Sequence, residues 1–140
     1  GCGWGYYSFI LADIVGPEGM VYSVDLSKHC IDSIKRKADK KGYQNIKPYA
    51  TTAADLGCIK SRSIDFIFAN GLLCVMEDDR DSAVKEMKRI LKPHGHAYIR
   101  LGALPPWGLV DEEEWNGILN EFSVKKRSND KEIWALLATK

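Results

Sequence analysis

The 140-residue sequence has no long hydrophobic run, no surplus of either charge and no cysteine cluster. No apolar stretch approaches the ~20 residues that cross a bilayer, which excludes a helical membrane span within it. Twenty basic residues against nineteen acidic ones leave a formal net charge of +1. Such a balance gives no global field favouring nucleic acid, an anionic membrane or an acidic partner. Four cysteines, at positions 2, 30, 58 and 74, form neither a CxxC pair nor a His/Cys set at metal-ligand spacing. No metal is expected, and dispersed thiols suit a reducing cytosol better than a disulfide framework. No secretory signal opens the sequence, so the expected location is the cytoplasm.

What remains is a strand–helix alternation with no repeat, linker or low-complexity segment. The length suits one domain, 1–140, with one core. Tyr7, Ile10, Leu11 and Ile14 follow the i, i+3, i+4, i+7 spacing of a helix buried on one side, and Gly16-Pro17 ends it. Met20–Val24 predicts a buried strand. Ser27 then caps a helix with the stripe Ile31, Ile34 and Ala38, and Gly42 suits its C-terminal turn. The basic cluster from Lys35 to Lys41 falls on that helix and reads as its solvated face. Ile46–Tyr49 is a weaker strand containing Pro48, and Ile64–Ala69 is the clearest strand in the sequence.

Ala83, Val84, Met87, Ile90 and Leu91 make a helical face that stops at Pro93, and Ala97–Leu101 is the next strand. Asp111 and Glu114 form a capping box for a helix with Trp115, Ile118, Leu119 and Phe122 inside. Two strands, near 122–127 and 133–138, close the sequence around Ser128-Asn129-Asp130. The repeated rhythm argues for a parallel sheet covered on both faces. So short a final turn joins only antiparallel neighbours, so one edge of the sheet is mixed.

The chemistry concentrates at the start. Gly1-Cys2-Gly3-Trp4-Gly5 leads directly into a helix. Glycines there permit positive φ and leave no Cβ between the backbone and a ligand. The free N–H groups of the helix's first turn favour an anionic group. Twenty residues after Gly5, Asp25 ends the next strand. A carboxylate in that place can accept hydrogen bonds from both hydroxyls of a ribose, or cap the following helix. A dinucleotide loop commonly carries a third glycine where this sequence has Tyr6, which argues against nicotinamide and flavin cofactors.

The block GCGWGYYSFILADIVGPEGMVYSVDLS resembles the first two motifs of class I, Rossmann-like S-adenosylmethionine-dependent methyltransferases. SIDFIFANGLLCVMEDDRDSAVKEMKRILKPHG is similar to their later motifs, in the form found in the ubiquinone-biosynthesis-type, small-molecule branch. The resemblance implies a doubly wound, mostly parallel seven-stranded sheet with an antiparallel C-terminal strand and helices on both faces. It implies S-adenosylmethionine as cofactor, S-adenosylhomocysteine as product and a small-molecule methyl acceptor; nucleic acid is not favoured and no membrane partner is expected. Gly1, Gly3 and Gly5 would line the methionine part, Asp25 would hold the ribose, and Leu26 would pack on the adenine. Thr52 falls where the family carries an acid toward the adenine amino group, with Ala53 beside it and Asp55 as the alternative contact. Asn70 and Gly71 would lie near the sulfonium.

Several positions depart from the family pattern. Pro93-His94-Gly95 replaces Pro-Gly-Gly, and His94 reads as a turn residue. Cys74 and Val75 replace a histidine pair, so no general base is named. His29 and His96 read as helix-surface and strand-edge residues. Arg100, at the end of a strand on the presumed acceptor side, reads as an edge-exposed charge. The stretch 102–110, with Pro105-Pro106-Trp107, is the expected substrate-facing element. The family's first strand lies immediately upstream of the glycine motif, so residue 1 is expected to be a truncation point. Two alternatives stand beside the small-molecule enzyme: an RNA or protein methyltransferase of the same fold, and a cofactor-binding domain without catalysis.

Overall fold

The computed structural model describes residues 1–103, 110–130 and 132–140. They divide into two compact units, Gly1–Ala53 and Ala54–Lys140.

In the first unit, α1 (Tyr6–Val15) is followed by β1 (Val21–Asp25), α2 (Lys28–Lys41) and β2 (Ile46–Ala50). The two strands pair in parallel from Val21↔Ile46 to Asp25↔Ala50. The predicted caps of α2 form: Ser27 Oγ accepts from Cys30 N at 3.3 Å, and Gly42 adopts φ 76° at the C-terminal end. Ala12, Ile31, Ile34 and Ile46 make the core, with Phe9, Val21 and Tyr43 packed against it. Asn45 Nδ2 donates to the carbonyls of Ala12 and Gly16, satisfying acceptors that the end of α1 leaves over.

The apolar stripe expected to be buried on α1 is not buried. Tyr7, Ile10 and Ile14 are exposed, whereas Ser8 and Ala12 are buried. The helix packs through the adjoining face because Ala12 lies against the isoleucines, and Ser8 Oγ accepts from Ser23 Oγ beneath it at 2.8 Å.

In the second unit, β3 (Ile64–Asn70) leads through a short 3-10 turn to α3 (Arg80–Ile90). Then come β4 (Leu91–Ala103), α4 (Glu112–Asn120), β5 (Ser123–Asn129) and β6 (Glu132–Ala138). Strand order is β3-β4-β6-β5. The β3–β4 pair is parallel, and β6 runs antiparallel to both β4 and β5, as the closing turn requires. The inner face of α3 is as expected, with Ala83, Val84, Met87 and Ile90 buried. Both arms of the Asp111/Glu114 capping box are made.

The second unit also corrects the sequence reading. Strand β4 begins at Leu91, not Ala97, because Leu91 already pairs with Ile64 before the irregularity around Pro93. His96 is not at a strand edge; it sits in β4 between Phe66 of β3 and Ala138 of β6. Strand β3 is at the margin of its sheet, and Phe66 is 47% exposed.

Candidate functional site

The glycine loop is organised by two anchors in β1. Cys2 N donates to the Val24 carbonyl at 2.9 Å, and Gly1 N donates to the same oxygen at 2.8 Å. Gly3 N donates to Asp25 Oδ2 at 2.7 Å. The loop therefore runs along the end of β1, with its third residue fastened to the carboxylate. Gly5 N then donates to the Cys2 carbonyl at 3.0 Å, closing the turn that starts α1.

The glycines have different physical reasons for being there. Gly3 has φ 51°, and nothing stands within 4 Å of the place a Cβ would take. Its backbone presents open space, as a ligand cradle requires. Gly5 has φ 85°, and a Cβ on it would sit 2.8 Å from Ile34 Cγ1. It allows close packing of the loop on α2, not ligand approach. No side chain caps α1, and its first turn contains no acid. The positive end of that helix is thus left for an external anionic group.

Asp25 accepts from two backbone donors, Gly3 N at Oδ2 and Ser27 N at Oδ1, the latter at 2.9 Å. It is not the cap of α2; Ser27 is. A carboxylate has about four lone-pair sites, so two bonds leave acceptor capacity for a diol. Leu26 follows and is 78% exposed, an apolar residue next in sequence to that carboxylate. Thr51 N donates to the Asp25 carbonyl at 3.1 Å. Thr52 and the buried Ala53 come immediately after, in the same unit. Asp55 Oδ1 accepts from Gly57 N at 3.1 Å, forming a local turn.

Around the loop, Trp4 packs edge-on against His29 at 5.2 Å, and Lys37 Nζ donates to the Trp4 carbonyl at 3.3 Å. Part of the basic helix face is thus used to hold the loop. The Cys2 thiol is pushed up to about 11, chiefly by burial. It stays protonated at neutral pH.

Asn70 and Gly71 end β3 in the second unit. Gly71 has φ 71° and donates its N–H to the Arg100 carbonyl at 2.8 Å. Asn70 Oδ1 accepts from Arg100 Nη1 at 3.0 Å. Arg100 is thus not a bare edge charge. It pairs with Glu132 as well, through Nε at 3.2 Å and Nη2 at 2.8 Å. Sequence reasoning missed this triad because Glu132 stands 32 residues away, on a strand whose register only the hairpin sets. Within 102–110, residues 104–109, including Pro105-Pro106-Trp107, lie outside the described residues. Among the described residues, no group of three or more His, Cys, Asp or Glu is placed to hold a metal.

The first α/β unit thus has an open glycine loop fastened to a strand-end carboxylate. Residues 1–135 match the family model described as "Methyltransferase domain", and the chain belongs to that family. It is 34% identical over 95 residues to a demethylmenaquinone methyltransferase of Geobacillus stearothermophilus, covering 67% of this chain and 39% of that protein. With an arsenite methyltransferase of Aquipseudomonas alcaligenes it shares 30% identity over 106 residues, covering 70% of this chain and 30% of the relative. The chain therefore spans well under half the length of these relatives. A SAM-dependent methyltransferase from Aquifex aeolicus matches its fold with a TM-score of 0.81 at 24% identity, over 99% of this chain and 78% of the other.

Proposed function

We propose that the protein is an S-adenosylmethionine-dependent methyltransferase acting on a small-molecule acceptor. The observation that carries this reading is the Gly3–Asp25 bond, which sets a bare backbone and a carboxylate side by side at the end of β1. Gly1 and Gly3 line the amino-acid end of the cofactor, whose carboxylate meets the uncapped start of α1; Gly5, which the sequence reading placed with them, instead lets the loop pack on Ile34. Asp25 accepts from the ribose hydroxyls, and Leu26 lies on the adenine. Thr52 and Ala53 close the adenine side, with Asp55 as the alternative contact. For the reacting end the reading takes Asn70 and Gly71 from the family resemblance alone. The finer architecture, one seven-stranded doubly wound sheet in a single domain, belongs to this proposal. It is supported by the two parallel pairs and the antiparallel β6.

When bound, the cofactor supplies a methyl carbon already activated toward in-line displacement by its sulfonium. The protein's task is to hold acceptor, carbon and sulfur in line and to exclude water, worth up to ~7–11 kcal/mol in the best-oriented systems. The small-molecule assignment draws on the demethylmenaquinone and arsenite methyltransferases among the relatives. The test is a labelled-methyl assay of the full-length protein against fractionated metabolites and against RNA. Label entering a low-molecular-weight product supports the reading, and label entering only RNA or protein overturns it.

A further inference from the structure

At the ends of β3 and β4, Asn70 and Arg100 are register partners. Arg100 Nη1 donates to Asn70 Oδ1, and the next residue, Gly71, donates its N–H to the Arg100 carbonyl. Arg100 is held from the other side by Glu132 on β6, through a two-pronged carboxylate contact. Anchored from both neighbouring strands, the guanidinium cannot turn without breaking charge-assisted bonds.

The anchor decides the polarity of Asn70. A carboxamide has an accepting end and a donating end. Here the oxygen is committed to a cation, so the N–H2 group is the end turned away from Arg100. Exchanging the two ends would set amide N–H groups against guanidinium N–H groups, losing a hydrogen bond and opposing two positive dipole ends. Asn70 is thereby fixed as a donor. A donor backed by a guanidinium is a poor neighbour for a sulfonium cation and a good one for an oxygen bearing lone pairs, best of all an anionic oxygen.

We propose that Arg100 is a positioning residue that locks Asn70 as a hydrogen-bond donor, and that the group received there is a carboxylate or other anionic oxygen of the methyl acceptor. Naming the occupant as the acceptor rests on the methyltransferase reading. It revises the place beside the sulfonium that family resemblance implies for Asn70. Glu132 balances the charge of Arg100, so the arrangement selects by orientation more than by net attraction.

The test follows the Asn70 side-chain amide by NMR in the full-length protein, with and without S-adenosylhomocysteine, while acetate or trimethylsulfonium is titrated. Acetate is expected to shift both amide protons saturably, and trimethylsulfonium to leave them in place. Arg100→Met should weaken the acetate response about tenfold and Arg100→Lys, which can still donate to Oδ1, by no more than about threefold. Asn70→Asp should remove acetate binding altogether. A saturable response to trimethylsulfonium, no response to acetate, or an unchanged acetate affinity in Arg100→Met overturns the proposal. Calorimetry with S-adenosylhomocysteine on the same samples separates the two readings. Product binding without an acetate response removes this inference alone; an acetate response without product binding keeps the locked donor and removes the methyltransferase.

Discussion

Gly3 and Asp25, 22 positions apart, are joined by a backbone N–H to carboxylate bond of 2.7 Å. Asp25 thus holds the loop, and in the function proposed above it also receives the ribose. Asp25→Ala removes both. Hydrogen bonds to a charged group are worth ~1.5–3 kcal/mol, so affinity for S-adenosylhomocysteine should fall by about 10- to 100-fold in calorimetry. An unchanged affinity would remove the ribose assignment.

Gly3 and Gly5 should respond differently to alanine. At Gly5 a methyl group meets Ile34 at 2.8 Å in a left-handed backbone. Gly5→Ala should cost ~1–3 kcal/mol in denaturant unfolding from overpacking alone. At Gly3 the space is open and only the left-handed geometry opposes the change, a strain of ~1–2 kcal/mol. Gly3→Ala should therefore lose cofactor affinity out of proportion to its loss of stability.

Much of this was legible locally. Ser27, Gly42 and the Asp111–Glu114 box acted as the caps their positions predict, because capping depends only on residues within one turn. The loop and Asp25 were legible for a similar reason: a short α1 and its return turn separate them. What the sequence hid were choices made by partners distant in the chain. The buried face of α1 is selected by Ile34 and Ile46, which favour Ala12 over the larger Ile10 and Ile14. Arg100 and Glu132 meet through strand register, which periodicity does not encode.

Arg89 clamps the segment before β3. It donates to the carbonyls of Leu56 and Ile59, to Ser61 Oγ and to both oxygens of Glu86. Glu86 also accepts from Leu56 N at 2.7 Å. The bond to Arg89 holds the Glu86 carboxyl below its ordinary pKa. A depressed folded value means the contribution is fully present above the unfolded value of ~4.3. It is lost as pH falls through the folded value. Glu86→Gln should cost ~1–2 kcal/mol at pH 7, discounted for partial exposure. The gap between variant and parent in urea unfolding should close as the medium is acidified below that range; a gap that stays constant refutes the linkage.

The raised pKa of Cys2, about 11, and the exposure of Cys58 predict an order of alkylation. Only the thiolate reacts, so iodoacetamide at pH 7.5 should label Cys58 well before Cys2, as peptide mass mapping would show. Faster labelling of Cys2 would mean that the loop is not packed on β1 as described.

Titration calorimetry of the full-length protein with S-adenosylmethionine, S-adenosylhomocysteine and NAD puts the account at most direct risk. Both sulfur ligands should bind with one-to-one stoichiometry, at least about tenfold (~1.4 kcal/mol) more tightly than NAD. NAD binding more tightly than either would contradict the assignment of the Gly3–Asp25 cradle.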